Sequence, residues 1–237
     1  MFDKNYKMKI YKKVKSNHKK IIKGNVQLSK RKNKKKPSPY IMHDEYFHKA
    51  KKEGYRARSV YKLKEIQEKF ELITPNMNVC DLGAAPGSFI QYIKKIINNS
   101  GQIVGVDLKE IDNYTQTNIN TIVCDIFDFD KLELEVQKYI GKGNKFDLIT
   151  SDIAPNTTGR KDIDQYASVE LNIEILKFSD VFLKKGGNLL LKVFKGEDFR
   201  DLVKEIHKRF DNFTEHKPLA CRDRSFEEYI ICFTKKD

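Results

Sequence analysis

Short apolar runs alternate with longer segments of helical spacing along most of the chain. The strand-like runs are 77–82, 103–108, 120–126, 145–153 and 188–194, and the helical segments are 86–97, 132–140, 164–183 and 199–210. This alternation is typical of βαβ units and predicts a parallel sheet with helices on both faces. Two further runs, 213–220 and 227–233, have no room for a helix between them. They predict an antiparallel pair at the end of the sheet.

The segment before the first strand is also helical in pattern. Apolar residues recur at helical spacing between positions 44 and 70, and Gly54 is expected to divide this tract into two short helices. With 237 residues, the chain is long enough for one full-sized domain and an extension. We assign residues 42–237 to the domain and residues 1–41 to the extension.

Positive charge is concentrated in that extension. The chain has 46 Lys and Arg and 33 Asp and Glu, a net charge of +13. Residues 1–41 hold fifteen of the basic residues and one acid, which leaves 31 basic and 32 acidic residues, a net charge of −1, for residues 42–237. Such a tail cannot bury a core, so we expect it to be disordered. An organellar presequence, a nuclear signal and an RNA-binding arm all fit it; we favour a mitochondrion or another organelle over the nucleus or nucleolus, although arginine is scarce in the tail.

A near-neutral domain offers a polyanion only a local patch. The candidate patch is the segment 49–64, which has seven cationic residues, one acid and two tyrosines. Taken alone, such a run is most often a solvated helix face. The alternative is a surface for RNA phosphates. Its residues would be Lys49, Lys51, Lys52, Arg56 and Arg58.

The remaining composition limits the class of protein. The four cysteines form no CxxC pair and mostly lie in apolar runs, so we expect buried free thiols in a reducing compartment. His43 and His48 lack partners at ligand spacing, and no metal site is expected. No apolar run reaches the length of about 18 residues that a membrane span needs, and no signal-peptide core follows the basic start. We therefore expect a soluble, intracellular protein without membrane contact.

The strongest chemical signal is the stretch 79–89, VCDLGAAPGSF, which ends a strand and opens a helix. Pro86 is suited to the first helical turn, where its missing N–H costs little. A dinucleotide site would have GxGxxG here, because pyrophosphate approaches bare backbone amides, but this stretch has only Gly83 and Gly87. Asp81 would repel a pyrophosphate and attract a cation. S-adenosylmethionine, which is positively charged at its sulfur and at its amino group, fits this turn.

Two more carboxylates follow at strand ends. Asp107 ends the second strand, in position to accept hydrogen bonds from ribose hydroxyls. Asp125 ends the next strand, in position to reach an adenine. Strand-end aspartates often only cap the following helix, so each one alone also has a local explanation. Together and in this order, they favour a cofactor that contains a nucleoside.

Four separated blocks of the sequence resemble one family: DLGAAPGSF, SDIAPN, LLLKVFKGEDF and RSFEEYII. They are similar, in order, to the FtsJ-like 2′-O-ribose methyltransferases of RNA, and the resemblance runs from about Tyr46 to the C-terminus. It implies a Rossmann-like S-adenosylmethionine-dependent methyltransferase fold with a mostly parallel seven-stranded sheet and a C-terminal antiparallel hairpin. Gly83 is similar to the bacterial and organellar branch, which acts on large-subunit ribosomal RNA. The tRNA and nucleolar branches tend to have Cys there.

The resemblance also implies a catalytic tetrad. Its Lys-Asp-Lys-Glu pattern falls on Lys62, Asp152, Lys192 and Glu227. The adjacent Glu228 is an alternative, but strand alternation lets only one of the two acids face the site, and the family spacing favours Glu227. The cofactor-binding positions implied by the resemblance are Asp81, Gly83, Ala84, Ala85, Pro86, Gly87, Ser88, Phe89, Asp107, Leu108, Asp125, Ile126 and Asp152.

A ribose hydroxyl is a poor nucleophile at neutral pH, so the site must orient it and help to remove its proton. The resemblance implies that Lys192 is the base or orienting group, with Asp152 and Glu227 holding the lysines. A second cation such as Lys62, or desolvation, can lower the pKa of a lysine. Structural explanations also exist. An ion pair would account for Lys192 in the apolar run LLLKVF, and capping would account for Asp152.

The block SDIAPN argues against methylation of bases, because Ile153 and Ala154 replace the prolines and aromatic residue that would stack on a flat target. Two other classes stay open: a non-catalytic RNA-binding protein with the same fold, which would be expected to lack a tetrad member, and a nicotinamide-dependent oxidoreductase, which the missing GxGxxG and Asp81 disfavour. We expect a monomer whose partner is ribosomal RNA or the large ribosomal subunit. The resemblance suggests a uridine in the peptidyl-transferase region, with tRNA or another RNA as the alternative.

Overall fold

A seven-stranded sheet and six helices make up the part of the chain that the computed structural model describes, residues 45–221 and 225–237. The strands are β1 (Val79–Leu82), β2 (Ile103–Asp107), β3 (Ile119–Val123), β4 (Phe146–Ser151), β5 (Leu183–Phe194), β6 (Phe210–His216) and β7 (Glu227–Lys235). The helices are α1 (Glu45–Lys52), α2 (Val60–Phe70), α3 (Ser88–Ile97), α4 (Phe129–Ile140), α5 (Lys161–Phe182) and α6 (Phe199–Arg209). The predicted extension, residues 1–41, lies outside the described residues.

The strands are ordered β3-β2-β1-β4-β5-β7-β6 across the sheet. The five strands from β3 to β5 are parallel, as the alternation of strands and helices predicts. β7 lies antiparallel between β5 and β6. The Rossmann-like sheet with a C-terminal antiparallel hairpin, predicted from the sequence, is therefore confirmed. The direction in which the chain adds strands reverses between β1 and β4, and ligands of open α/β sheets bind at such a point.

Helices cover both faces of the sheet, as predicted. On one face, α4, α5 and α6 pack against strand residues such as Leu82 and Val104. On the other face, α2 and α3 pack against Val79 and Ile103. The two sets alternate along each strand because successive side chains of a strand point to opposite faces. The inner strands are buried on both faces, which explains why they read as nearly continuous apolar runs.

The two helices before the sheet are divided at Gly54, as predicted. Gly54 has a φ of +74°, in the left-handed region that favours glycine. α2 then packs on the sheet through Leu63 and Ile66, which are fully buried. Lys62, next to Leu63, is carried into the interior by the same helix face and is also buried.

One local prediction is wrong. Pro86 does not lie in the first turn of α3, because that helix begins at Ser88. Gly87 precedes it with a φ of +104°, far from helical values, so the helix cannot extend back through this residue. The Gly87 amide donates to the Ala84 carbonyl at 2.5 Å and closes a tight turn directly before the helix. The turn after β1 is therefore longer than the sequence suggested.

The four cysteines are buried and none forms a disulfide, as predicted. Within residues 45–221 and 225–237, no helix combines the length and apolar character that crossing a membrane requires.

Candidate active site

Four carboxylates lie where parallel strands end. Asp81 lies in β1, Asp107 is the last residue of β2, Asp125 follows β3, and Asp152 directly follows β4. Because β3, β2, β1 and β4 are successive neighbours, these residues share the carboxyl edge of the sheet. Ligands of open α/β sheets bind at this edge. The strand-end aspartates singled out from the sequence therefore lie along one edge of the sheet.

The turn after β1 is packed against the end of β4. Gly83 has a φ of +75°, and a Cβ there would lie 2.5 Å from Ile153 Cγ1 and 2.9 Å from the Ile153 amide nitrogen. Only glycine fits this position. The amides of Gly83 and Ala84 donate to the Val106 carbonyl, at 2.8 and 3.1 Å. These contacts fix the turn between the end of β2 and the segment that carries Asp152.

Asp107 holds the same turn from the β2 side. Its Oδ2 accepts a hydrogen bond from the Ala85 amide and its Oδ1 accepts one from the Lys109 amide, both at 2.9 Å. Each carboxylate oxygen of Asp107 has a second lone pair that can accept another hydrogen bond. Contact of Asp107 with ribose hydroxyls stays a prediction. Asp125 accepts a hydrogen bond from the Phe127 amide at 3.1 Å. That bond closes a local turn, whereas the alternative explanation was capping of the next helix, where Asp128 and not Asp125 is the N-cap residue.

The other predicted cofactor positions differ in exposure. Four of them are buried: Ala84, Ser88, Phe89 and Ile126. Leu108 is 45% exposed and offers an apolar surface next to Asp107.

Asp81 is a buried carboxyl group with one open bonding position. Its Oδ1 accepts a hydrogen bond from the Thr150 hydroxyl at 2.7 Å, while Oδ2 is buried and has no hydrogen-bond partner among the described residues. Burial raises the pKa of Asp81 to about 8, with Asp152 and Asp107 acting in the same direction and the Thr150 hydrogen bond opposing them. A buried acceptor without a donor is costly. The geometry therefore fits a ligand that brings a positive charge or an N–H group to Oδ2.

Two ion pairs bring together four residues that are far apart in the sequence. The Nζ of Lys62 on α2 lies 2.6 Å from Oε1 of Glu227 on β7, and the two side chains are 10% and 14% exposed. The Nζ of Lys192 on β5 lies 2.9 Å from Oδ1 of Asp152, and these side chains are 9% and 18% exposed. Lys192 also donates to the Asp152 backbone carbonyl at 2.5 Å. These four residues are the predicted tetrad.

Tyr229 joins the two ion pairs. Its hydroxyl donates to Asp152 Oδ1 at 2.5 Å, and the Nζ of Lys62 lies 5.8 Å from the centre of its ring. Tyr229 is fully buried and pairs with Lys192 across β5 and β7. Nothing in the sequence singled out this tyrosine, although alternation along β7 places it on the same face as Glu227. The tetrad is therefore one connected group.

The ion pairs set the charge of their members. Burial raises the pKa of Asp152, but the two lysines and a tyrosine hydroxyl outweigh burial and hold that pKa below its usual value. Burial likewise opposes ionisation of Glu227, whose pKa is nevertheless lowered by Lys62 and the Cys221 thiol. Burial lowers the pKa of Lys62, yet Asp152 and Glu227 raise it above its usual value. Near neutral pH the site holds two carboxylates and the Lys62 ammonium.

Glu227 has two neighbours with different contacts, Glu228 in the sequence and Cys221 in the structure. Oε2 of Glu228 lies 3.6 Å from Nζ of Lys195, so the second acid of the pair points away from Lys62. Cys221, which the sequence did not single out, lies against Glu227. Burial and this carboxylate raise the pKa of the Cys221 thiol to about 12, so the thiol stays protonated and serves as a donor.

The structural explanations for two tetrad members fare differently. An ion pair with Asp152 does accompany Lys192, as the structural explanation requires. Capping does not explain Asp152, because its carboxylate contacts side chains and the next helix, α5, begins only at Lys161.

The residues predicted to bind RNA fall into two groups. Three of them are exposed on α1: Lys49, Lys51 and Lys52. Arg56 and Arg58 are half-buried, and both donate to backbone carbonyls, Arg58 to that of Ala220 and Arg56 to two carbonyls near the turn after β1. Contact with RNA stays a prediction for all five. Within the described ranges, no group of three or more His, Cys, Asp or Glu is arranged to hold a metal ion.

Most of the chain matches a known protein family. A family model described as FtsJ-like methyltransferase matches residues 55–235, which include the whole tetrad and the turn after β1. This chain belongs to the FtsJ-like methyltransferase family.

Several relatives of this FtsJ-like methyltransferase carry the name ribosomal RNA large subunit methyltransferase E. That of Borrelia garinii subsp. bavariensis is 43% identical over 192 residues, 81% of this chain and 96% of the relative. That of Desulforapulum autotrophicum is 39% identical over 209 residues, 87% of this chain and 100% of the relative. The similarity therefore covers nearly the full length of these relatives.

A solved structure shows the same architecture. A crystal structure described as a ribosomal RNA methyltransferase of Plasmodium falciparum superposes on this FtsJ-like methyltransferase with a TM-score of 0.69 at 27% sequence identity. The match covers 76% of this chain and 98% of that chain. The Rossmann-like methyltransferase fold that the resemblance implied is confirmed.

Proposed function

We propose that this chain transfers a methyl group from S-adenosylmethionine to the 2′-hydroxyl of a ribose in RNA. The observation that carries the proposal is the meeting of two ion pairs, Lys62–Glu227 and Lys192–Asp152, at the sheet edge beside the turn after β1. Relatives named as methyltransferases of the large ribosomal subunit RNA support that RNA as the substrate. Within it, we propose a uridine as the target, as the family resemblance suggests.

The residues around the turn fit S-adenosylmethionine. Asp81 presents a buried oxygen without a donor, which a positively charged group would satisfy. The remaining lone pairs of Asp107 suit ribose hydroxyls, and Asp125 is assigned to the adenine. When bound, the cofactor supplies a methyl group activated by a positively charged sulfur.

The tetrad then acts on the ribose. Lys192 orients the 2′-oxygen and, as an uncharged amine, accepts its proton, while the carboxylate of Asp152 holds Lys192 in place and balances the positive charge that the amine gains. Lys62, kept as an ammonium group by Asp152 and Glu227, stabilises negative charge that develops on the oxygen. The Tyr229 hydroxyl orients Asp152.

We further propose that the exposed lysines of α1 bind RNA phosphates and that the protein acts as a monomer. Phosphate contacts position a strand without reading its sequence, so target choice would depend on the shape of the RNA.

An organellar location remains a proposal that depends on residues 1–41. A fusion of these residues to a fluorescent protein tests it, and diffuse or nuclear fluorescence would contradict it.

The proposed reaction is tested by mapping the methylated position. Purified protein and methyl-labelled S-adenosylmethionine are incubated in three separate reactions, with large ribosomal subunits, with free large-subunit RNA and with tRNA. A Lys192→Ala variant is the matched control. We expect a 2′-O-methyluridine in large-subunit RNA that the variant does not produce. Label on a base would contradict ribose chemistry, and label in tRNA alone would contradict the proposed substrate.

A further inference from the structure

Arg56 contacts the turn after β1 rather than projecting freely from the basic segment. One guanidinium nitrogen, Nη1, donates to the carbonyls of Pro86 and Asp112, both at 3.1 Å. The guanidinium also stacks on Tyr114, 4.3 Å from the ring centre. The backbone amide of Arg56 donates to Oε1 of Gln91 on α3 at 2.7 Å. Arg56 is thus fixed by four contacts to two loops and a helix of the cofactor side.

Tyr114 extends the same contact to the next residue of the turn. Its hydroxyl donates to the Gly87 carbonyl at 2.7 Å. Burial raises the pKa of Tyr114 to about 12, although Arg56 opposes this, so the hydroxyl remains a donor. Arg56 and Tyr114 together therefore hold two consecutive carbonyls, those of Pro86 and Gly87.

Gly87 shows how closely these two side chains cover the turn. A Cβ at this position would lie 2.3 Å from the Tyr114 hydroxyl oxygen and 2.7 Å from Arg56 Nη1. Any side chain at position 87 would displace one or both groups, so the absence of a side chain is what allows the contact. The turn is held by its hydrogen bonds to Val106 and Asp107 at the end of β2 and by the hydrogen bonds that it accepts from Arg56 and Tyr114.

The position of Asp112 adds a second connection. Asp112 belongs to the loop that follows β2 and begins with Leu108, a predicted cofactor position. By binding the carbonyls of both Pro86 and Asp112, the Arg56 guanidinium ties together the two loops assigned to S-adenosylmethionine. The guanidinium is planar, so it can make both hydrogen bonds while its face stacks on the ring; the ammonium group of a lysine has no planar face to stack.

We propose that Arg56, acting with Tyr114, is a positioning residue for the cofactor-binding loops and not a ligand of RNA phosphates. The inference rests on the proposed use of S-adenosylmethionine. The basic segment 49–64 is then divided in function. Arg56 positions the cofactor loops, and the exposed lysines Lys49, Lys51 and Lys52 bind the RNA. Arg58, two residues away, donates to the Ala220 carbonyl of the loop before β7 and lies 5.8 Å from the centre of the Tyr46 ring.

The test compares Arg56→Gln with the matched variant Arg58→Gln. The dissociation constant of S-adenosylhomocysteine is measured by calorimetry for both variants, for Tyr114→Phe and for the unmodified chain. Loss of two hydrogen bonds and a stacked cation should weaken binding about tenfold or more in Arg56→Gln, and loss of one hydrogen bond about threefold to tenfold in Tyr114→Phe. Arg58→Gln should stay within about twofold of the unmodified chain, because the hydrogen bond that it removes is made to the loop before β7.

A second measurement separates positioning from a general loss of stability. Hydrogen exchange at the amides of residues 84, 85 and 87–90 should accelerate in Arg56→Gln, while exchange in β5 and β7 stays unchanged. Normal ligand affinity in Arg56→Gln, together with weaker RNA binding and a shallower salt dependence, would overturn the inference and make Arg56 a phosphate ligand. Failure of the unmodified chain to bind S-adenosylhomocysteine would instead contradict the proposed function, and the exchange at residues 84, 85 and 87–90 would still decide whether Arg56 positions the turn.

Discussion

Folding and ligand binding favour different protonation states of Asp81: burial favours the neutral acid, and a bound cation favours the carboxylate. An aspartate in an unfolded chain ionises near pH ~3.9, whereas burial raises the pKa of folded Asp81 to about 8. Between these values the folded state keeps a proton that the unfolded state has lost. The free energy of unfolding therefore falls as pH rises through this window. A cation bound at Oδ2 would favour the carboxylate and recover that stability.

Asp81→Asn is expected to separate these two effects. Without ligand, raising the pH from about 5.5 to about 8 should lower the melting temperature less in the variant than in the unmodified chain, because the variant has no buried acid to ionise. The affinity for S-adenosylmethionine should fall about tenfold or more, since an amide cannot pair with a positive charge. Thermal scans and calorimetry across the pH range provide the measurement. Equal pH dependence in both proteins would show that Asp81 does not titrate in this window.

Tyr229 is expected to tune the charge of Asp152. Its hydroxyl is one of the groups that hold the pKa of Asp152 below the usual value. A carboxylate with a lowered pKa loses its charge as pH falls through that pKa, so raising the pKa moves the loss to higher pH. In Tyr229→Phe, the acid limb of the methyl-transfer rate should shift upward by about half a unit to one unit, with a rate about threefold to tenfold lower at neutral pH.

Single-turnover rates against pH check this expectation. Tyr139→Phe is a suitable control, because Tyr139 lies on the exposed surface of α4. An unshifted acid limb in Tyr229→Phe, with the same profile as the control, would contradict the role given to the hydroxyl.

At the level of elements, α5 supplies a partner that β5 lacks. The pairing of β4 with β5 ends at Ser151 and Leu191, so the backbone groups of β5 beyond that point have no strand on this side. Three polar side chains on one face of α5 make the hydrogen bonds that a neighbouring strand would otherwise make with this part of the chain. Asn172 donates to the Lys192 carbonyl at 3.0 Å, Ser168 accepts from the Phe194 amide at 2.9 Å, and Gln165 donates to the Lys195 carbonyl at 2.5 Å. This polar face fixes the strand end that carries Lys192.

Two serines of α5 allow a matched test of that arrangement. Ser168 and Ser179 are both buried, but Ser179 donates only to the Leu176 carbonyl of its own helix, at 2.7 Å. Ser168→Ala should leave the Phe194 amide buried and unpaired, at a cost of about 1–3 kcal/mol, and should lower the methyl-transfer rate because the strand end moves. Ser179→Ala should lower stability slightly and leave the rate unchanged. Amide exchange at Phe194 and single-turnover rates report the two effects, and equal rates in both variants would contradict the positioning role.

At the level of the whole molecule, parallel topology explains why much of the site was predictable. Apolar runs that end in Asp predict strand ends, and a parallel sheet gathers such ends at one edge, as it does for Asp107 and Asp152. Lys192 stood out because an unpaired charge is rarely tolerated within a central strand. The identity of the tetrad, by contrast, came from the family resemblance, since no spacing rule connects Lys62 with Glu227.

The rest depended on contacts that no local pattern encodes. The hydrogen bond from Tyr229 to Asp152 joins residues 77 positions apart, and that from Arg56 to the Asp112 carbonyl joins residues 56 positions apart. The first depends on the register of β7 on β5, and the second depends on the paths of two loops. For the same reason the sequence placed Arg56 with the RNA-binding residues, because its charge is visible in the sequence and its partners are not.

The rate of a single methyl transfer in tetrad variants tests the central claim, that the two ion pairs form one reacting group for a ribose hydroxyl. Lys192→Ala and Lys62→Ala are mixed with large ribosomal subunits at saturating S-adenosylmethionine, and binding of S-adenosylhomocysteine is measured in parallel as the control. Both variants should lose about a hundredfold to ten-thousandfold in rate while keeping ligand affinity within about twofold. Methyl transfer at the unmodified rate in Lys192→Ala would contradict the account.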